Sequence, residues 1–436
     1  MAAVDPGNDP ANGGTAGGDW LGRVAVDSLL PEPDRVEILD RVVVVGGGPS
    51  GLTAALVLAR AGIPVTVIEK LPSLSAESRA STFHPATLEL LDDLDLAGPV
   101  IDAGLLAPTT QFRDRRSGPV ATFDLGVLAD ETMFPFRVQL EQSKFTPMVV
   151  ERLRADSAAG LIDAQMRFSH RAHRATQDDH GVRLSVGTEH GLVELRAPWV
   201  VIADGAHSAV RESVGVHLEG EEYPERFLVV SVGNELVEHL PDLAHVNYVA
   251  DPEEWLVLLR TPDHWRILFP IPDGDGTDTE VLDEASIRRR LDGVVPLGHE
   301  WQVLSTSLYV VSRRVASTMR VGRVLLAGDA AHQNSPLGGM GMNSGIQDAV
   351  SLGRRLARVW AGEDDTVLDD YASLRRDVAV SLVQADSHAN WLVLREPDAA
   401  RRAEMQRDLA AVAADPVRHA ERMRRTAMLD AVAAGL

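Results

Sequence analysis

The chain has 436 residues, of which 45% are hydrophobic and 24% are charged, a balance typical of a globular protein with two or three domains. Its formal net charge of -22 argues against a nucleic-acid-binding protein, because phosphate-binding surfaces are normally basic. The absence of cysteine excludes disulfides, thiolate metal ligands, a thiol nucleophile and a cysteinyl-linked cofactor.

The beginning of the chain, residues 1–38, is rich in Gly, Ala, Asp and Pro and is expected to form a flexible or loosely docked tail. It has neither the basic n-region nor the apolar h-region of a signal peptide. No apolar run reaches the ~20 residues needed to span a bilayer. The sequence therefore predicts a cytoplasmic protein with no membrane span, and no metal site is expected.

The first predicted elements form a βαβ unit. The β-branched run Val42–Val45 is typical of a strand buried on both faces of a parallel sheet. A turn at Gly46–Gly48, a helix at Ser50–Ala61 and a second strand at Val65–Glu69 follow.

The turn of this unit carries a glycine fingerprint. Gly46 permits a tight turn, Gly48 lets the backbone approach a pyrophosphate, and Gly51 allows close packing of helix and strand. The helix N-terminus then presents N–H groups and a partial positive charge to the phosphates. Glu69 ends the next strand and is placed to accept hydrogen bonds from ribose hydroxyls. An acid there favours NAD or FAD over NADP.

A second strand and turn follow from Trp199, with Asp204 and Gly205 at the strand end and Ser208 as a candidate helix cap. The segment suits either a ligand loop or an ordinary strand–helix turn. Beyond it the pattern changes to short β-rich runs, which suggest an antiparallel sheet inserted into the nucleotide fold. These runs are Phe227–Val232, Val246–Val249, Trp255–Arg260 and Trp265–Ile271, the last two predicted to form a hairpin.

A third motif follows another buried strand. Asp329, after Gly328, is expected at a carboxyl edge, where ligands of open α/β sheets bind. The small residues between Pro336 and Gly341 form a loop against which a planar ring could lie. Asn343 is a candidate N-cap for a helix over residues 344–356, and helical patterns continue almost to the end of the chain. His332 is expected to support the loop.

These three motifs, in this order and spacing, resemble the FAD-dependent aromatic hydroxylases of the para-hydroxybenzoate hydroxylase family. The resemblance covers residues 41–357. It implies an α/β fold with a Rossmann-like FAD/NAD(P)-binding domain, an inserted antiparallel-sheet substrate domain and a helical C-terminus. The expected boundaries are a tail at 1–38, an FAD-binding domain at 39–106, 138–217 and 305–362, a substrate domain at 107–137 and 218–304, and a helical segment at 363–436.

The resemblance also implies roles for single residues around a non-covalent FAD. Pro336 is expected beside the flavin ring, and the backbone N–H groups of Gly341, Met342 and Asn343 at its pyrimidine edge. The full set of expected FAD-binding residues is Gly46, Gly48, Ser50, Gly51, Glu69, Lys70, Arg79, Gln142, Asp204, Gly205, Gly328, Asp329, Pro336, Gly341, Met342 and Asn343.

The reaction implied by the resemblance is the hydroxylation of a phenolic or N-heteroaromatic small molecule. NAD(P)H reduces the flavin, and O2 adds to form a C4a-hydroperoxide that attacks the ring. The cofactor carries this chemistry and the protein orients and shields it. The sequence has no second GxGxxG, which indicates that NAD(P)H has no Rossmann domain of its own.

The substrate is expected between the flavin and the inserted sheet, with Tyr248, Leu258, Arg260 and Phe269 as candidate contacts. Each of them is also an ordinary core or surface residue in such a sheet. His84 is a candidate base, although the proline after it favours a residue that opens a helix.

Two other functions stay open from the sequence: an FAD-dependent reductase or dehydrogenase of the same fold, and a flavin-binding protein without turnover. The sequence does not separate a monomer from a homodimer.

Overall fold

The computed structural model describes residues 32–77, 80–240 and 242–435. The predicted tail up to residue 31, together with Arg79, lies outside these residues. The remainder of the tail is partly structured, because Arg35–Ile38 form a strand that pairs in parallel with Gly191–Ala197.

A six-stranded sheet forms the centre of the nucleotide fold. Its strands, in spatial order, are Arg320–Val321, Val324–Leu326, Val200–Ile202, Val42–Val45, Val65–Ile68 and Ala164–Arg167. All neighbours are parallel except the first pair. The Val42–Val45 strand is fully buried, as its β-branched run predicted.

The fingerprint helix packs on this sheet, and a second helix packs on the fingerprint helix. The fingerprint helix Pro49–Arg60 ends close to the predicted position, and Gly62 follows it with a φ of +81°. The second is the long helix Gly341–Trp360. Its Gly353 lies so close to Val57 that a Cβ at this position would overlap the valine side chain. This contact brings the third motif next to the first.

An antiparallel-rich sheet of eight strands forms the second layer. In spatial order its strands are His332–Gln333, Val303–Ala316, Leu218–Val232, Trp265–Pro272, Leu256–Arg260, Val246–Ala250, Thr109–Asp114 and Gly118–Asp124. The hairpin predicted around Thr261 is confirmed. The strand Val303–Ala316 lies wholly in this sheet and pairs with Leu218–Val232, so the expected domain boundary at residue 305 falls inside a strand.

Two smaller sheets complete the β-structure. One contains Arg35–Ile38, Gly191–Ala197, Gly181–Thr188 and Arg171–Asp178, and the other contains Thr82–Phe83, Arg137–Gln139 and Leu105–Ala107. The other α-helices of the described chain are Pro85–Asp92, Ala97–Ala103, Gln142–Ala158, Ala209–Ser213, Asp278–Val281, Glu284–Val294, Val367–Val378, Ala385–Arg395, Ala399–Ala414, Pro416–Thr426 and Leu429–Gly435. Short 3-10 turns lie at Leu125–Leu128 and Gly328–Ala330, and Ala379–Gln384 form a π-helical turn.

The helical C-terminus packs across one face of the eight-stranded sheet. Trp391, Leu394, Leu409 and Met423 of these helices share a buried apolar cluster with Phe112 and other residues of that face. The opposite face buries a separate cluster against the helix Glu284–Val294. No helix among the residues described is both long and apolar enough to cross a membrane.

Candidate flavin and substrate site

The three sequence motifs meet at one edge of the six-stranded sheet. Gly46, Glu69 and Asp204 each follow a strand of the parallel set, and Asp329 follows the strand Val324–Leu326 beside them. Because parallel strands end at the same edge, their polar termini form a single row. The row extends across four neighbouring strands.

The fingerprint turn is close-packed on one side and open on the other. Gly46 has a φ of +111°, and a Cβ there would overlap the carbonyl oxygen of Ala203. A Cβ on Gly51 would overlap the carbonyl oxygen of Gly46. Apart from its chain neighbours, no atom of the described residues lies within 4 Å of a Cβ built on Gly48, which caps the helix. The structure thus leaves space above Gly48, where the helix N-terminus favours a phosphate.

Glu69 holds the turn in place. Its two carboxylate oxygens accept hydrogen bonds from the N–H groups of Gly47 (2.7 Å) and Leu71 (2.9 Å). Each carboxylate oxygen has more than one acceptor direction. Glu69 can therefore keep these bonds and still accept one from a ribose hydroxyl.

Asp204 has an incompletely satisfied carboxylate beside the fingerprint. Burial raises its pKa, while a hydrogen bond from Ser208 and the positive charge of Lys70 act in the opposite direction. Its Oδ1 is buried and has no partner among the described residues. A buried acceptor without a donor is costly, and a hydroxyl-rich ligand would supply one. Ser208 caps the next helix as predicted, since its side chain accepts from the Arg211 N–H.

The third motif brings a helix N-terminus to the same region. The helix begins at Gly341, with Met340 as its N-cap residue, so the prediction that Asn343 caps it is wrong. Its first hydrogen bond runs from Ser344 N to Met340 O (2.8 Å). The N–H groups of residues 341–343 precede that bond and have no acceptor within the helix. Asp329 is exposed at the sheet edge nearby.

Asn343 instead fixes the loop by its side chain, which is fully buried. Its amide nitrogen donates to Thr82 O and Gly339 O, both at 2.7 Å, and its oxygen accepts from His84 N (2.9 Å). A capping side chain would satisfy only its own helix, whereas this one connects the loop at Gly339 to the segment Thr82–His84.

A buried ion-pair network is centred on Asp348, in the second turn of the helix that follows the loop. Asp348 accepts from Arg375 Nε (2.7 Å), His332 Nε2 (2.7 Å) and Gly328 N (3.1 Å). Burial alone would raise the pKa of Asp348, but the neighbouring His332 and Arg375 lower it below its ordinary value. His332, predicted to support the loop, bonds through its side chain to Asp348 of the helix that follows the loop, so its role at the loop itself stays a prediction. Arg375 comes from the C-terminal segment and had no sequence signal.

Of four further residues predicted to bind the cofactor, the structure describes Gln142, Ser50 and Pro336. Gln142 begins the helix Gln142–Ala158, and its side chain donates to Glu77 O (3.3 Å). Arg79 is not described. Ser50 lies between Gly328 and Gly345, where a Cβ on either glycine would overlap its hydroxyl. Pro336 is half-buried and accepts from Gly339 N (3.0 Å) in the loop turn.

His84 is positioned as a loop support. Its ring is buried, and Nε2 donates to Gly338 O (2.9 Å). Burial, followed by the charge of Arg137, lowers its pKa well below the ordinary value, so the ring is neutral and a weak base. His84 also opens the helix Pro85–Asp92, as the following proline predicted. The geometry gives no support to His84 as the catalytic base.

Among the predicted substrate contacts, only Tyr248 lies on the loop side of the eight-stranded sheet. Its hydroxyl oxygen accepts from Gly338 N (2.8 Å). Leu258, Arg260 and Phe269 were also predicted to contact the substrate, but the strand register places them on the opposite face of the sheet. Leu258 and Phe269 belong to the apolar cluster on the other face, and Arg260 lies over Trp265 of that cluster. Side chains alternate between faces along a strand, and the sequence did not show which face is inward.

A small pocket lies between the loop, the sheet and the C-terminal helices. Its enclosed space is narrow, about 20 Å³. Its lining is Thr110, Phe112, Phe123, Arg137, Tyr248, Gly338, Met340, Asn390, Arg422, Met423 and Thr426. The C-terminal residues among them were not predicted, because their helical pattern did not indicate what they pack against. Arg137 was not predicted either, because the residues around it, including Phe134 and Phe136, form no recognisable motif.

These observations fit FAD at the sheet edge. The open space at Gly48 suits a pyrophosphate, and Glu69, Asp204 and Asp329 provide acceptors for sugar and ribityl hydroxyls. The loop and the N-terminus of the helix Gly341–Trp360 suit a flavin ring that becomes anionic on reduction.

Comparisons with known proteins agree with this assignment. The pattern of the FAD binding domain family matches residues 40–386. The para-nitrophenol 4-monooxygenase of Pseudomonas sp. (strain WBC-3) is 33% identical over 377 residues, covering 84% of this chain and 90% of that protein. The 6-hydroxy-3-succinoylpyridine 3-monooxygenase of Pseudomonas putida (strain DSM 28022 / S16) is 30% identical over 357 residues, covering 80% and 88%.

Solved structures show the same relationship. The p-nitrophenol 4-monooxygenase of Pseudomonas putida DLL-E4 superimposes with a TM-score of 0.82 at 31% identity, covering 90% of this chain and 99% of that one. A ternary complex of aklavinone-11 hydroxylase with FAD and aklavinone has a TM-score of 0.74 at 28% identity, covering 84% and 70%. With the cradle and loop described above, these findings establish that the chain belongs to the family of FAD-dependent aromatic hydroxylases.

Proposed function

We propose that this protein hydroxylates a small phenolic or N-heteroaromatic ring, with O2 as oxidant and NAD(P)H as reductant. The observation that carries the proposal is the pocket beside Gly338, where the loop expected to carry the flavin ring meets an aromatic-lined sheet. The relatives named for para-nitrophenol and 6-hydroxy-3-succinoylpyridine support a ring bearing a hydroxyl group. The products would be the hydroxylated ring, water and NAD(P)+.

The lining of the pocket favours an aromatic ligand. Phe112 and Tyr248 stack with centroids 5.1 Å apart, and both line the pocket together with Phe123. Aromatic side chains pack well against a planar ring.

Bound FAD would supply the redox chemistry and the activation of O2. The fingerprint turn would hold the pyrophosphate, and Glu69 and Asp329 would orient the hydroxyls. The N–H groups of residues 341–343 would stabilise negative charge on the pyrimidine side of the ring. His84 and Asn343 would keep the loop in one conformation, because both bind it through buried hydrogen bonds.

NAD(P)H would bind transiently, since the sequence offers one dinucleotide fingerprint. The fingerprint region is already assigned to FAD. The reductant would therefore reach the ring from a surface without a Rossmann fold of its own.

The test is NADH and NADPH oxidation by the FAD-loaded protein across 4-nitrophenol, 4-hydroxybenzoate and hydroxypyridines. We expect one class of ring to stimulate oxidation, with equimolar O2 uptake and a hydroxylated product by mass spectrometry. Nitrobenzene and benzene serve as rings without a hydroxyl group, and catalase distinguishes hydroxylation from release of hydrogen peroxide.

Two results would contradict the proposal. Oxidation that continues without O2 while an organic acceptor is reduced would indicate a reductase. Bound FAD that no ring and neither nucleotide can reduce would indicate a flavin-binding protein without turnover.

A further inference from the structure

Two arginines in the pocket form no ion pair with an acidic residue in the part of the chain that the structure describes. Arg137 lies in the strand Arg137–Gln139 with 4% of its surface exposed. Its Nε is buried without a hydrogen-bond partner among the residues described. Its polar neighbour is Tyr248, and burial, the dominant effect, lowers its pKa. A buried guanidinium without a carboxylate is energetically unfavourable.

Arg422 reaches the same pocket from the helix Pro416–Thr426. Its guanidinium carbon lies 4.8 Å from the ring centroid of Phe123 and 5.3 Å from that of Phe112. Burial lowers its pKa, and so does the charge of Arg137, while Asp386 and Tyr248 act in the opposite direction. Asp386 accepts hydrogen bonds from Arg425 Nε through both carboxylate oxygens, and among the described residues it forms no hydrogen bond with Arg422.

The charge of the pocket is opposite to that of the protein. The chain carries a net charge of -22, yet the pocket lining includes two guanidinium groups and no Asp or Glu. Two neighbouring cations repel each other when they are partly desolvated. An anion bound between them would remove that repulsion, and guanidinium groups form strong charge-assisted bonds with oxyanions.

We propose that Arg137 and Arg422 form an oxyanion subsite that selects aromatic substrates carrying a phenolate or carboxylate. Phe112 and Tyr248 would contact the ring while the guanidinium groups bind its charged oxygen. This inference rests on the proposed function for the ring binding beside the loop. It adds the charge of the substrate and the two residues that recognise it.

The experiment measures binding without turnover, by the change in flavin absorbance of the oxidised FAD-loaded protein in the absence of NAD(P)H. Four probes form two pairs: 4-nitrophenolate with nitrobenzene, and benzoate with benzamide. Each pair keeps the ring and changes the charge, and the two pairs distinguish a phenolate from a carboxylate. Wild type is expected to bind at least one anion about 10-fold or more tightly than its neutral counterpart.

The variants are Arg422→Met, Arg422→Lys and Arg137→Met, with Arg418→Met as the matched control. Arg418 lies one turn earlier on the same helix and is exposed. We expect Arg422→Met to weaken anion binding about 10-fold or more and to leave neutral rings within about 2-fold. Arg422→Lys should retain part of the preference, and Arg418→Met should retain all of it. Thermal unfolding reports whether Arg137→Met is folded; if it is not, the Arg422 variants decide.

The proposal is overturned if wild type binds each anion no tighter than its neutral counterpart, or if Arg422→Met keeps the wild-type preference. Both outcomes are independent of catalysis. A protein that prefers anions but oxidises no NAD(P)H would retain the subsite and lose the proposed reaction. A hydroxylase without charge preference would show the reverse.

Discussion

Replacing Arg375 with Met removes one partner of a fully buried ion pair and is expected to destabilise the protein strongly. Both Arg375 and Asp348 are 0% exposed, and their atoms Nε and Oδ1 are 2.7 Å apart. Breaking a buried pair from one side costs about 3–5 kcal/mol, because a charge is left without its partner. Arg375 also donates to Ser344 O (3.2 Å), so that carbonyl loses a donor.

The matched control is Arg358→Met, which removes an exposed pair with Glu363 and should cost far less, because water screens exposed charges. Urea unfolding of the apo and FAD-loaded proteins, followed by far-UV circular dichroism and flavin fluorescence, measures both values. The double variant Asp348→Asn/Arg375→Met should regain part of the loss because no charge remains buried. A loss for Arg375→Met no larger than that of the control would refute the reasoning.

The pH dependence gives a second readout of the same pair. In wild type the pKa of Asp348 is lowered, so its contribution to stability is present above the unfolded pKa and is lost as pH falls through the folded pKa. Without Arg375, the pKa of Asp348 should be higher than in wild type, because burial is unchanged and only His332 remains to lower it. The stability gap between variant and wild type should therefore be widest near neutral pH and narrow on acidification. A gap that does not narrow on acidification, at any pH at which both proteins are still folded, would contradict this account.

Three other changes test separate parts of the structure. Gly48→Ala should weaken FAD binding about 10-fold or more, because the new Cβ would enter the space of the phosphates. The stability of the apo protein should change little, since that Cβ would meet no atom of the described residues beyond its chain neighbours. Equilibrium dialysis measures FAD binding, and Gly98→Ala, which also lies in open space, should leave that binding unchanged. Tyr371→Phe should cost about 1–3 kcal/mol in urea unfolding, because its hydroxyl donates to Leu326 O (2.5 Å) at the end of a buried strand. Leu258→Ala should cost about 2–5 kcal/mol while leaving ring binding within about 2-fold, because the side chain lies on the far face of the sheet; a large change in ring binding without a loss of stability would place it in the site after all.

The cofactor half of the site was predictable because its signals are local. A glycine fingerprint, an acid at the following strand end and a capped turn are set by neighbouring residues, and parallel strands necessarily end at one edge. Gly46, Glu69 and Asp204 therefore lie where the sequence placed them. Asn343 was misassigned because a cap and a buried connector have the same sequence pattern, and only the approach of Thr82 and Gly339 distinguishes them.

By itself, the sequence determined the parallel sheet, the dinucleotide edge and the existence of an inserted antiparallel layer, since these follow from strand patterns and from turns of a few residues. Tertiary structure alone decided which face of that layer points to the flavin loop, and so separated Tyr248 from Leu258 and Phe269. It also decided that the C-terminal helices cover this face and bring Arg422 close to Arg137. The physical reason is that two features depend on packing between segments nearly 300 residues apart: which face of the sheet points to the loop, and which helix covers that face. No local sequence pattern encodes such packing.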